Sequence, residues 1–255
     1  MEIIKLRENG LSNTFLIVEQ NKFLLVDPSS SIEEVRDEIG KFQILKRVDL
    51  SILTPNYSQN GLQSTLHSTV NLPLSSNKSE ETQNGNNKVL QWGNSSAIPS
   101  ADNKILECAG VFVTHCHFDH IYYIEEWARA GAVIFCSEQA YQNMQDININ
   151  ASKMFTEKSF VVDRDNCVFV KEGDKINLNE TQFIVLETAG HTNCSISLFR
   201  ANSLFCGDLI FAGGYVGRTD LPTGSVQELD KSLEKINKLS KPLTVYSGHG
   251  SRFTI

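Results

Sequence analysis

The stretch Thr114-His115-Cys116-His117-Phe118-Asp119-His120 packs three imidazoles and a carboxylate into seven positions, spelling H-x-H-x-D-H. Imidazole nitrogen with carboxylate oxygen is a ligand set for Zn²⁺, Fe²⁺ or Mn²⁺. The apolar run 109–113 before it, ending in Thr114, reads as a buried strand. After it, Ile121, Ile124 and Ala128 recur at helical spacing until Gly131, which predicts a helix. A strand that runs into histidines and then into a helix puts those ligands on a loop held at both ends.

Farther along, His191 follows an apolar run in Ala-Gly-His-Thr, Asp208 in Cys-Gly-Asp-Leu and His249 in Ser-Gly-His-Gly. Five of the six histidines thus join one pattern, and only His67 lies outside it. Gly190, Gly207 and Gly248 directly precede these three groups, and glycine permits sharp turns and close backbone approach. Five imidazoles and two aspartates exceed one tetrahedral site but suit two adjacent ions that share a ligand. The six cysteines form no C-x-x-C pair, which excludes a cysteine zinc finger or a thioredoxin-type motif. They are expected to be reduced thiols, with Cys116 and Cys206 neighbours of ligands rather than ligands.

The rest of the chain predicts a layered fold. Segments 14–18 and 22–27 read as a hairpin turning at Glu19-Gln20-Asn21, with Asp27-Pro28 stopping the second strand. Asp27 is read as structural there. Ser31-Ile32-Glu33-Glu34 is a capping box, and Ile32, Val35, Ile39 and Phe42 would line one face of the helix it opens. Further strands are expected at 48–54, 132–136, 167–170, 183–187, 195–199, 203–206 and 243–246. A last helix opens with a second capping box at Ser225-Val226-Gln227-Glu228 and carries Leu229, Leu233 and Ile236 on one face. Strand meanders with helices between them imply two sheets covered by helices, an α/β (α+β) arrangement.

Between the strands expected at 48–54 and 109–114 lies a different kind of sequence. Nine serines, nine asparagines and four glutamines fill 22 of the 48 positions from 56 to 103. Such a segment buries too little apolar surface to offset its ordering entropy, so it reads as a disordered insertion at about 55–104. A net charge of −7 argues against a general nucleic-acid binder. No apolar stretch approaches the length of a membrane span, the first residues lack a signal-peptide pattern, and a cytoplasmic location is expected.

The ordered set H-x-H-x-D-H, G-H-T, G-D and G-H-G, with Gly217-Arg218-Thr219-Asp220-Leu221-Pro222 and Tyr246-Ser247-Gly248-His249-Gly250, resembles the metallo-β-lactamase-fold hydrolases. Within them it resembles the glyoxalase II-like (hydroxyacylglutathione hydrolase-like) group, over residues 1–54 and 105–255. The resemblance implies a four-layer αββα sandwich, one domain over 1–255 interrupted by the insertion. It implies that His115, His117 and His191 hold a first divalent ion, that Asp119, His120 and His249 hold a second, and that Asp208 bridges them. Zinc is the first expectation for the pair, with iron or manganese compatible. A hydroxide shared by the two ions would be the nucleophile, and Asp119 the catalytic side chain that orients it and passes a proton to the leaving group. The implied substrate is a small-molecule ester or thioester, a glutathione conjugate among them. Arg218 and Asp220 are read as a loop salt bridge.

Asp208 separates this chain from dedicated lactamases of the fold, which tend to lack that bridge, and His117 from flavodiiron-type members, which carry glutamate there. The insertion is too short and too polar to be the large inserted domain of the nucleases. Two alternatives share the motif. One is an iron-dependent persulfide dioxygenase, similar in T-H-C-H-x-D-H and G-R-T-D but using a single iron. The other is an inactive relative disrupted by the insertion.

Overall fold

The computed structural model describes residues 1–6, 11–44 and 105–255. The expected insertion, the strand expected at 48–54 and His67 lie outside the described residues.

In chain order the described strands begin with β1 (Glu2–Lys5), β2 (Phe15–Glu19) and β3 (Lys22–Val26). Helix α1 (Ile32–Ile39), β4 (Phe42–Ile44) and β5 (Leu106–Phe112) follow. Next come α2 (Ile124–Arg129), β6 (Ile134–Cys136), α3 (Glu138–Asn143) and β7 (Cys167–Phe169). The second half holds β8 (Lys175–Leu178), β9 (Thr181–Glu187), β10 (Ile196–Arg200) and β11 (Ser203–Gly207). It ends with α4 (Val226–Asn237), β12 (Thr244–Ser247) and β13 (Phe253–Thr254).

Two sheets result. The first is ordered β1-β2-β3-β5-β6-β7 with β4 also paired to β5, and the second β13-β12-β11-β10-β9-β8. Side chains alternate along each strand, and each face finds its own layer. Leu16, Phe23 and Leu25 join Val35, Ile124, Trp127 and Ala140 of the three helices on the outer face of the first sheet. Ile17, Leu24 and Val26 point the other way, into a core shared with Phe183, Val185, Leu198 and Phe205 of the second sheet. Leu186, Leu204 and Cys206 turn outward under Leu229 and Ile236 of α4. Four layers, αββα, follow from burial on both faces of each sheet, which is why these strands read as unbroken apolar runs.

The capping box at Ser31 is complete: its side chain accepts from the Glu34 N–H and Glu34 bonds back to the Ser31 N–H. Helix α1 then stops at Gly40, at φ +76°. Phe42 is therefore in β4 and not on the helix as its spacing predicts, although it remains buried in the same core. At Ser225 only half of the second box forms. Its side chain accepts from the Glu228 N–H, but the Ser225 N–H is taken by the Gly190 carbonyl, and Glu228 pairs with Lys231. The strands β1, β4, β8 and β13 and the helix α3 are short, between two and six residues, and the sequence reading does not include them. Among the described residues no helix is long and apolar enough to cross a membrane.

Candidate metal centre

All seven groups singled out in the sequence lie together at one edge of the sandwich. The parallel strands β3 and β5 pair Val26 with Phe112, so Asp27 and the residues after Phe112 leave the first sheet side by side. Residues 115–120 form the loop that follows β5. His191 lies on the turn after β9, Asp208 directly after β11, and His249 two residues after β12.

Their mutual distances are those of one cluster. Ring centroids of His115 lie 4.8 Å from His117, 4.1 Å from His120 and 5.0 Å from His191. His191 Nε2 is 2.9 Å from His117 Nδ1. Asp208 sits between two groups: Oδ1 is 3.2 Å from His120 Nε2, and Oδ2 is 3.6 Å from both His191 Nε2 and His249 Nε2. Asp119 Oδ2 lies 3.1 Å from His249 Nε2. His115, His117 and His191 form one group of converging ligand atoms, and Asp119, His120 and His249 another; His115, His120 and Asp208 link them.

Hydrogen bonds on the far side fix which nitrogen faces inward. The Arg218 carbonyl can only accept, so His191 carries its proton on Nδ1, 2.7 Å away, and turns a lone pair on Nε2 toward His117. His120 donates from Nδ1 to Asp27 Oδ2 at 2.8 Å. Thr114 Oγ1 donates to the same Asp27 oxygen at 2.8 Å, so it accepts from His115 Nδ1 at 3.1 Å. The Thr114 N–H donates to the other Asp27 oxygen at 2.8 Å. One buried carboxylate thus orients two imidazoles, one directly and one through a hydroxyl.

The inward atoms have nothing to bond. Among the described residues, the buried side-chain nitrogens and oxygens without a hydrogen-bond partner are His115 Nε2, His117 Nε2, His120 Nε2 and Asp208 Oδ1. All four belong to this cluster. An unsatisfied buried polar atom costs about 1–3 kcal/mol, so four at one point fit a cation that the lone pairs would bind. Electrostatics agrees for His115, His117 and His191. Burial, and then the neighbouring imidazoles His120, His117 and His191, push His115 well below its ordinary range, and burial with His191 lowers His117 to about 3. Burial also lowers His191, against the pull of Asp208. All three are neutral near pH 7, the form that binds a metal. Burial would lower His120 too, but Asp208, Asp119 and Asp27 outweigh it and hold its pKa well above the usual value. Asp208 resists burial through His120, His249 and His191 and stays well below the carboxylate range.

Backbone packs tightly against this cluster. A Cβ on Gly248 would collide with Asp208 Oδ1 and the His120 ring, and one on Gly207 with the Thr114 hydroxyl. Cys116 and Cys206 are buried and free, as are Cys108, Cys136 and Cys194, while Cys167 is half-buried and free. Arg218 and Asp220 form a two-point ion pair on the surface, 2.7 and 2.6 Å, as the sequence reading expects; the part of Arg218 that reaches the cluster is its carbonyl. The cluster opens into a cleft of about 630 Å³ lined by His117, Asp119, His191 and Asp208 together with apolar side chains.

Asp27 is the residue whose role the sequence reading misses. It does stop a strand, but its carboxylate belongs to the cluster. The available signal is an aspartate at the end of an apolar strand, and it takes an unusual φ of +55°. Asp27→Asn replaces one acceptor oxygen with a donor that faces N–H and O–H groups. Metal affinity should fall about 10- to 100-fold, read by competition with a chromophoric chelator. Unchanged affinity would reduce Asp27 to a strand stop.

A family model described as the metallo-beta-lactamase superfamily matches residues 87–249. A probable metallo-hydrolase of Methanocaldococcus jannaschii is 33% identical over 154 residues, 58% of this chain and 72% of that protein. A hydroxyacylglutathione hydrolase of Prochlorococcus marinus is 28% identical over 155 residues, 58% of this chain and 53% of its own length, so the match spans about half of that relative. Among solved structures, a B3 metallo-beta-lactamase superposes with a TM-score of 0.64 at 18% identity, covering 99% of this chain and 94% of that one. A protein solved in a di-iron-bound form gives 0.58 at 18% identity, covering 98% and 92%. At such identities the superpositions speak to the fold alone.

Proposed function

The chain belongs to the metallo-beta-lactamase superfamily, as a hydrolase-type enzyme, and from that membership we propose that it is a dinuclear thioester hydrolase of the hydroxyacylglutathione hydrolase type. The observation that carries the proposal is Asp208, whose two oxygens approach imidazoles of both triads. In this reading His115, His117 and His191 would hold one divalent ion, Asp119, His120 and His249 the other, and Asp208 would serve both. Zinc would suit these ligands, as would iron or manganese. Bound cations would make water nucleophilic near neutral pH and polarise a carbonyl.

The chain's own side chains do the rest. Asp27 and the Arg218 carbonyl hold three imidazoles in one tautomer and orientation. Asp119, with its side chain 20% exposed toward the cleft, orients the attacking water and carries its proton to the departing sulfur. A thiol pKa near ~8.5 makes that group a good leaving group. The similarity to hydroxyacylglutathione hydrolases supports a glutathione thioester as the substrate type, and the free cysteines support a reducing, cytoplasmic setting.

The test is turnover of S-D-lactoylglutathione by protein loaded with zinc, iron or manganese, with metal content measured on the same sample. Two ions per chain and release of free thiol are expected. No thiol release at full metal loading would remove the thioesterase assignment, and one iron per chain with oxygen uptake on a persulfide would replace it with the dioxygenase.

A further inference from the structure

The cleft in front of the metal centre has apolar walls that the structure keeps exposed. Eight large hydrophobic side chains are exposed among the described residues, and four of them, Met154 (67%), Phe155 (67%), Tyr215 (74%) and Val216 (43%), sit on just two loops. Met154, Phe155 and Val216 line the same cleft as His117, Asp119, His191 and Asp208. Exposed apolar groups gathered around a site in this way mark a binding surface.

Both loops are fixed in place. The first is tied by Asn150, whose side chain donates to the Met144 and Lys158 carbonyls at 2.8 and 3.2 Å and accepts from the Ser152 N–H at 2.8 Å. Ala151 takes the left-handed conformation, φ +60°, which turns the chain so that Phe155 stacks on Phe118 with centroids 4.9 Å apart and an interplanar angle of 25°. Phe118 lies between His117 and Asp119 in sequence, so this aromatic pair is continuous with the metal-binding loop. The second is a tight hairpin: the Phe211 N–H donates to the Tyr215 carbonyl at 2.7 Å, Ile210 bridges Val216, and Gly213 and Gly214 supply φ of +85° and +80°. Its Phe211 ring lies 6.3 Å from the His249 ring.

Charge points the same way. Arg218 is the only lysine or arginine lining this cleft among the described residues, and Asp220 already grips its guanidinium at two points. Away from the metal ligands, an anionic substituent would find the one cationic side chain described in the lining already paired, whereas an apolar group meets aromatic or aliphatic surface on both sides. We propose that the two loops form an apolar slot and that the substrate is a thioester bearing an aromatic or bulky aliphatic group beside the scissile bond. This rests on the thioester reading above and narrows its substrate class.

Two series test it on metal-loaded protein. In one, glutathione is constant and the acyl group runs from lactoyl through hexanoyl to phenylacetyl. In the other, lactoyl is constant and the thiol runs from glutathione to benzyl mercaptan. At least one series should gain about 30-fold in kcat/KM at its apolar end, the size expected for covering a phenyl ring, and the series that gains identifies which side of the bond enters the slot. Phe155→Ala and Val216→Ala, both at exposed positions that line the cleft, should each lower kcat/KM for the apolar substrate about three- to fivefold more than for lactoylglutathione. Calorimetry provides a readout free of turnover: 4-phenylbutyrate should bind at least about tenfold tighter than butyrate, and Phe155→Ala should erase the difference. Flat series together with equal binding of the two carboxylates would overturn the slot. Inert thioesters with Phe155-dependent binding of 4-phenylbutyrate would overturn the thioesterase reading and leave the slot standing.

Discussion

Asp208→Ala is expected to release both metal ions and to lower kcat/KM by about 10³-fold or more, the loss that follows when a group shared by the whole constellation is removed. The carboxylate approaches imidazoles from both triads, at 3.2 Å from His120 and 3.6 Å from His191 and His249. Its charge is also the strongest influence raising the His120 pKa against burial. Without it, cations at either site would face imidazoles whose negative neighbours are reduced to Asp119 and Asp27. Folding should survive, because the side chain is not part of any of the three apolar clusters. Elemental analysis and circular dichroism on the same sample separate the two effects. A variant that kept two ions and normal turnover would end the bridging assignment.

The seven residues of this cluster are legible in the sequence because all are strongly coordinating side chains, four of them packed into 115–120 after one apolar run and the other three each following an apolar run with a glycine directly before them. The glycines have a physical reason: at Gly207 and Gly248 a Cβ would strike the Thr114 hydroxyl, the His120 ring or Asp208. The four layers are legible for a similar reason, since strands buried on both faces read as continuous apolar runs. Asp27 is legible only as a strand stop. Its work depends on parallel pairing of β3 with β5, which brings it to Thr114 across 87 positions of sequence, and no local pattern encodes that. The two apolar loops are invisible for the opposite reason. Met154-Phe155 and Tyr215-Val216 look like core in a sequence, and only the folded chain shows them turned outward. Phe42 continues the helical spacing of α1, yet Gly40 ends the helix first.

Asp119→Asn separates holding metal from moving protons. Asparagine keeps an oxygen where Asp119 Oδ2 approaches His249 at 3.1 Å and His120 at 3.8 Å, but it removes the negative charge and the proton acceptor. The backbone beneath is pinned, because the Asp119 carbonyl accepts from Ser29 Oγ at 2.6 Å and Ser12 Oγ at 3.2 Å, so the substituted side chain should keep its position. Metal should therefore remain bound at high metal concentration while kcat falls about 10²- to 10³-fold, within the range of a lost general acid–base group. The leaving group then reports which proton transfer was lost. If Asp119 hands a proton to the departing atom, an oxyester, whose alkoxide is far more basic than a thiolate, should lose at least about tenfold more rate than the thioester with the same acyl group. Equal losses for the two esters would confine Asp119 to the attacking water. An Asp119→Asn enzyme with unchanged kcat on both would remove it from the chemistry and leave the cleft without a carboxylate proton carrier among the described residues, since the other described carboxylate that lines it is the proposed bridge, Asp208.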